Sequence, residues 1–159
     1  MATIYLNSPD DTLRFGQSLA ERIRYSSVRT LLLRGDLGSG KTALTRALTE
    51  ALPGGSDAEV SSPSFTVCNH YPTVPPVLHC DLYRCQEAIP DEILDALEQS
   101  DILCIIEWSE FLPAADRPQD FLDILLETCD RGRLLTLEGY GPKARQLAME
   151  LYDVWHCEH

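Results

Sequence analysis

Lysine is nearly missing from this chain: in 159 residues it occurs at Lys41 and Lys143 only. Thirteen Lys and Arg face twenty-five Asp and Glu, a formal net charge of −12. Binding along a phosphate backbone depends on clustered Lys and Arg, so this balance argues against direct, broad nucleic-acid binding. Long hydrophobic runs are missing too. None approaches the roughly 20 residues that span a bilayer, and residues 1–7 lack the basic-then-apolar layout of a secretory signal. The expectation is a cytoplasmic protein without membrane contact. Cysteine motifs are absent as well: Cys68, Cys80, Cys85, Cys104, Cys129 and Cys157 form no C-x-x-C pair. His79 beside Cys80 and Cys85 does not complete a metal-ligand set, so these are read as reduced thiols, several of them in core strands. There is no internal repeat, and the length suits one domain, 1–159, with a single substantial core.

What is present centres on residues 31–46. The apolar run 31–33 reads as a buried strand, and Gly35-Asp36-Leu37-Gly38-Ser39-Gly40 follows as a glycine-rich turn. Lys41-Thr42 then opens a stretch with helical periodicity. This is G-x-x-x-x-G-K-[ST] in its strand–loop–helix context. Glycines let successive backbone N–H groups turn inward and approach phosphate oxygens with no Cβ in the way. The helix that follows presents unpaired N–H groups and about half a positive charge to the same anion. Lys41 is placed to reach the β- and γ-phosphates and Thr42 to ligate Mg²⁺. A nucleoside triphosphate is the ligand this pattern predicts.

The rest of the chain supplies an α/β frame. Residues 3–7 alternate as a short strand, and Ser8-Pro9-Asp10-Asp11 caps a helix that ends near Arg24. Val28 to Arg34 feeds the loop, and the helix from Lys41 stops at Pro53-Gly54-Gly55. Residues 53–64 read as a mobile loop, and two β-rich segments, 65–71 and 77–82, flank a proline-rich connection. A short helix opens at Pro90, and 102–106 is apolar throughout, the mark of a strand buried on both faces. Residues 111–118 are loop, 121–127 and 133–138 are two antiparallel strands turned at Asp130-Arg131-Gly132, and a last helix spans about 142–154. The predicted fold is a P-loop NTPase-like, mixed and partly parallel sheet with helices on both faces, its core at about 3–140.

Three further stretches bear on function. Ser61-Ser62-Pro63-Ser64-Phe65-Thr66 ends the loop; its hydroxyls suit a switch that closes over a γ-phosphate, and equally an ordinary Ser/Pro turn into a strand. In His79-Cys80-Asp81-Leu82-Tyr83-Arg84, Asp81 leaves the end of an apolar strand, where ligands of open α/β sheets bind. Asp81 can orient an attacking water or hold Mg²⁺ through water. Arg84 either pairs with Asp81 or neutralises phosphate charge, and His79 is read as a packed, hydrogen-bonded residue rather than a base. Glu107 closes the most apolar run, which is costly without a cation nearby and has the layout of a Mg²⁺ ligand. Trp108 walls the site, faces a partner, or packs in the core.

Taken together, residues 35–42, Ser62-Pro63-Ser64-Phe65-Thr66, the H-x-D-L-Y-R run at 79–84 and Ile106-Glu107-Trp108 resemble the bacterial TsaE family, small ATPases of tRNA threonylcarbamoyladenosine biosynthesis. The resemblance runs from Ser8 to about Tyr140 and is looser after Glu110. Ser39 and Ser64 stand where the family often has Ala and Thr. It implies a P-loop ATPase with weak intrinsic turnover, working beside a TsaB–TsaD-like pair of glycoprotease-like fold that carries the tRNA and modifies the adenosine next to the anticodon. By position, Gly35, Asp36, Leu37, Gly38, Ser39, Gly40, Lys41 and Thr42 would cradle ATP. Thr42 and Glu107 would ligate Mg²⁺, and Asp81, with Lys41 and Glu107, would serve hydrolysis. Ser62, Ser64 and Thr66 would form the switch, with Thr12 and Arg133 on the nucleotide's outer side. Rival readings are a GTPase, which would need an N/T-K-x-D stretch that is absent, a small-molecule kinase, and a module that binds ATP only to switch its surface.

Overall fold

The structure, a computed structural model, describes residues 1–63 and 66–158. The first strand, β1 (Ala2–Leu6), leads into α1 (Pro9–Tyr25). The Ser8 hydroxyl accepts the Asp11 N–H at 3.3 Å, and Asp10 and Asp11 occupy the first turn, where acids meet the positive end of the helix. Phe15, Leu19 and Ile23 of α1 are buried. Gly16 lets α1 lie directly on α2 (Lys41–Ala51), since a Cβ there would fall 2.4 Å from the Ala47 methyl. Between these helices runs β2 (Thr30–Arg34).

The later elements are β3 (Cys68–Tyr71), β4 (Val77–Asp81), α3 (Asp91–Leu97), β5 (Leu103–Glu107), β6 (Phe121–Cys129), β7 (Gly132–Tyr140) and α4 (Pro142–Cys157). All seven strands form one sheet in the order β1-β7-β6-β2-β5-β4-β3. Its four central strands, β6-β2-β5-β4, are parallel, and both flanks are antiparallel. This is a single-domain, partly parallel α/β fold.

Strand alternation divides the core between two faces. Leu31, Leu33, Leu103 and Ile105 pack beneath α1, α2 and α4 with Phe15, Leu48 and Trp155. Leu32, Leu78, Cys80, Cys104 and Ile106 pack on the other face with Ile93, Ala96 and Leu97 of α3. Register aligns the carboxyl ends of the central strands: Leu33 lies opposite Glu107, and Glu107 opposite Asp81. β4 and β5 therefore deliver their last residues, Asp81 and Glu107, to one crevice beside the end of β2, the ligand position of an open parallel sheet.

Several boundaries differ from expectation. The strand expected over 65–71 is described from Cys68, and Phe65 lies outside the described residues. Residues 111–118 are not plain loop, because 3-10 turns occupy Ser109–Phe111 and Ala114–Asp116. The last helix extends to Cys157, beyond 154, because Trp155 is buried against Phe15 and anchors its final turn. The segment after α2 has no regular structure but is fastened: Val60 is buried, Arg46 donates to the Val60 carbonyl, and the Ser61 N–H donates to the Tyr71 hydroxyl. Among the described residues no helix is long and apolar enough to cross a membrane.

Candidate nucleotide site

The loop between β2 and α2 is shaped by its glycines. A Cβ at Gly35 would sit 2.4 Å from both the Leu126 carbonyl oxygen and the Ser39 hydroxyl, so no larger residue fits there. Gly40 caps α2 with φ +109°, a conformation L side chains rarely adopt. The base of the loop is pinned by Arg34, which forms a 2.6 Å ion pair with the buried Asp123 of β6. That carboxylate holds the Arg34 guanidinium above its ordinary pKa. The outer arm is pinned by Arg133 of β7, whose guanidinium donates to the carbonyls of Ser39 (2.9 Å) and Gly38 (3.2 Å). The Ser39 hydroxyl is buried and has no hydrogen-bond partner among the described residues.

Lys41 is 5% exposed and donates to the carbonyls of Gly35 (2.6 Å) and Asp36 (3.0 Å). Its ammonium also lies 4.5 Å from the centre of the Trp108 ring, close enough for a cation–π contact. Burial pulls its pKa below the usual lysine value, opposed by Glu107, Glu110, Asp81 and Asp36. One residue along, the Thr42 hydroxyl donates to Glu107 at 3.0 Å. Glu107 is itself buried, and its other oxygen hydrogen-bonds His79 Nε2. A hydroxyl and a carboxylate side by side at the first turn of α2 are hard oxygen donors, of the type that would suit a Mg²⁺ ion.

Asp81 ends β4 beside Glu107. Burial raises its pKa above the ordinary carboxylate value, while the Tyr83 N–H, donating to it at 2.9 Å, works the other way. Among the described residues Arg84 forms no ion pair with Asp81; it is exposed at the rim. Trp108 walls the site. It has the left-handed φ of +56°, stacks on Phe111 and contacts Tyr83, and its ring both faces Lys41 and packs against the edge of the core on the α3 face.

Two cavities flank the loop. One of about 290 Å³ is lined by Leu37, Ser62, Thr66, Asp81, Arg84 and Trp108, which brings two of the expected switch residues to the site. Ser64 lies outside the described residues. Another of about 440 Å³, beyond Gly40, is lined by Thr12, Ala43, Arg46, Ala47 and Arg133 among others. Thr12 and Arg133, distant in sequence, therefore share one wall. Asp36 and Leu37 project from the tip of the loop, Leu37 almost fully exposed.

Sequence reasoning did not foresee the His79–Glu107 bond, the Arg34–Asp123 pair, or the attachment of Arg133 to the loop's own carbonyls. The one available signal was that a histidine and a glutamate each closed or nearly closed a strongly apolar strand.

Sheet order and loop define the class: this is a single-domain α/β protein with a mixed, partly parallel seven-stranded sheet and a glycine-rich loop between β2 and α2. A solved structure titled "Crystal structure of Bacillus subtilus YdiB" has the same fold, with a TM-score of 0.73 over 96% of this chain and 94% of that one at 24% identity. The family model described as threonylcarbamoyl adenosine biosynthesis protein TsaE matches residues 6–135. Proteins named tRNA threonylcarbamoyladenosine biosynthesis protein TsaE are similar over most of their length. That of Bacillus subtilis is 32% identical over 91% of this chain and 89% of its own. That of Aquifex aeolicus is 36% identical over 78% and 84%, and that of a Nostoc species 35% over 83% and 82%. The chain belongs to the TsaE family.

Proposed function

We propose that this chain binds and hydrolyses ATP with Mg²⁺ in support of tRNA threonylcarbamoylation at the adenosine next to the anticodon. In this reading it works with a TsaB–TsaD-like pair that holds the tRNA. The observation that carries the reading is the meeting of Thr42 and Glu107, 3.0 Å apart, at the start of the helix behind a G-x-x-x-x-G-K-T loop. The net charge of −12 fits a component that leaves the tRNA to its partners.

Each residue then has a task. Loop amides from Gly38 to Thr42 and the N-terminus of α2 bind the phosphate chain. Lys41 exchanges its two carbonyl acceptors for phosphate oxygens, a stronger charge-assisted bond. Thr42 and Glu107 hold Mg²⁺, which when bound neutralises charge on the phosphate oxygens. His79 keeps the Glu107 carboxylate oriented toward Thr42. Asp81 orients the attacking water and takes up its proton, a task its raised proton affinity favours. Thr12 and Arg133 line the cavity for the nucleoside end. Ser62 and Thr66 close from the opposite side.

The test is ATP binding and phosphate release, with and without Mg²⁺, for the wild type, Glu107→Gln and Asp81→Ala. Glu107→Gln is expected to lose the Mg²⁺-dependent part of binding. Asp81→Ala is expected to bind ATP and not release phosphate. Full turnover by Asp81→Ala would assign Asp81 to structure, and binding without turnover by the wild type, alone and with partners, would make the chain a non-hydrolysing switch.

A further inference from the structure

The face of the sheet opposite α1, α2 and α4 carries a feature that nucleotide chemistry does not use. Cys68 of β3 and Cys80 of β4 are directly opposite one another in the antiparallel ladder. Their sulfurs are 2.9 Å apart, and both thiols are free. The Asp81 N–H donates to the Val67 carbonyl at 3.0 Å, so Val67 and Asp81 are the hydrogen-bonded pair and Cys68 and Cys80 the adjacent non-hydrogen-bonded one. Side chains of such a pair are the closer kind, with Cα atoms typically about 4.5 Å apart. That separation lies within the span a disulfide bridges, roughly 4.4–6.8 Å. Cys80 is fully buried, whereas Cys68 is half-buried and reachable by a small oxidant.

We infer that Cys68 and Cys80 form a reversible cross-strand disulfide when the protein meets a hydroperoxide. The Cys68 thiolate attacks the peroxide oxygen, the O–O bond breaks, and the products are a sulfenic acid on Cys68 and, after protonation, water for hydrogen peroxide. Cys80 sulfur then attacks the sulfenic sulfur; the S–S bond forms, the S–O bond breaks, and the hydroxyl leaves with the Cys80 proton as a second water. Two electrons pass from the two thiols to one peroxide, and a dithiol reductant reverses the reaction.

The placement gives the bond a consequence. Cys80 immediately precedes Asp81, and Cys68 follows Thr66 and Val67, which line the cavity over Asp81. A covalent link between the two strands therefore restrains the segment leading into the site and slows ATP turnover. This last effect rests on the proposed function; formation of the bond does not.

The full-length protein is treated with hydrogen peroxide, its remaining thiols are alkylated after denaturation, and it is analysed by intact mass and peptide mapping. Turnover is measured in parallel. The expected result is four alkyl groups where the reduced protein takes up six, a mass about 2 Da below that of the fourfold-alkylated dithiol form, the two thiol hydrogens, a single cross-linked peptide pair joining 68 and 80, and turnover that falls and returns with dithiothreitol. Cys68→Ser is expected to lose both the cross-link and the peroxide sensitivity of turnover, as is Cys80→Ala. Oxidation of Cys68 to sulfinic acid with Cys80 still alkylated would overturn the inference, as would a bridge from Cys68 to Cys85 or Cys104. A bridge without any change in a measurable turnover would overturn the restraint. Absence of turnover in the reduced wild type with its partners would count against the proposed function, leaving the mass result to decide the disulfide.

Discussion

The two faces of the sheet are built from the same strands and put to different use. On β4, His79 and Asp81 serve the crevice on the α2 side, while Leu78 and Cys80 pack on the other face. On β5, Glu107 meets Thr42, and Cys104 and Ile106 point away with Leu78. The site face is covered by three helices of 17, 11 and 16 residues. The far face has the seven-residue α3 and two short 3-10 turns. Period-two alternation thus lets one short strand set a polar group in the candidate site and a thiol in the core within a single step of chain. Polar demands are met where helices hold the backbone firmly, and the thin face tolerates softer, chemically active side chains.

Truncation on each face tests this contrast most severely. Phe15→Ala should cost about 3–5 kcal/mol, because it empties a site packed between α1, α4 and the sheet. Leu78→Ala should cost about 2–3 kcal/mol, near the low end for such changes, because α3 and the turns can settle into the space. Urea unfolding measures both, and a larger loss from Leu78→Ala would reverse the ranking of the faces. Next in size, Lys41→Ala should weaken ATP binding by about 2 kcal/mol or more, roughly 30-fold. Titration calorimetry reads this directly, and unchanged affinity would remove Lys41 from the site.

His79→Ala leaves the buried Glu107 carboxylate with the Thr42 hydroxyl alone and should cost about 1–3 kcal/mol of stability. His79→Gln, which keeps a donor, should recover part of it in the same unfolding experiment. The smallest effect concerns Asp81, whose pKa burial raises. A raised native value means that its contribution to stability is full at pH below the unfolded carboxylate value and is lost as pH climbs through the native one. Asp81→Asn carries no such penalty. The variant should melt about 1–2 °C higher near neutral pH, discounted for partial exposure, with the gap closing in acid. A gap that persists unchanged in acid would trace the effect to packing.

How much of this was readable without a structure depends on how local each cause is. The glycine-rich loop is one continuous stretch whose glycines shape a single turn of chain, so the loop and the start of α2 at Lys41 stood out. Glu107 stood out because a carboxylate closing an apolar strand requires compensation. What compensates it, Thr42 and His79, depends on β4 and β2 both lying beside β5, and strand order is not written in the periodicity of any one strand. Arg133 reaches the loop's carbonyls only because β7 returns antiparallel beside β6. The Cys68–Cys80 pair depends likewise on the register of two short strands across a proline-rich connection.

Threonylcarbamoylation of tRNA in a reconstituted system, followed over many turnovers with and without this chain, tests the central claim most directly. ATP is compared with a non-hydrolysable analogue. The account predicts sustained modification only when the chain and hydrolysable ATP are both present, with Asp81→Ala behaving like the analogue. Modification that is indifferent to the chain, while the chain still binds ATP, would contradict it.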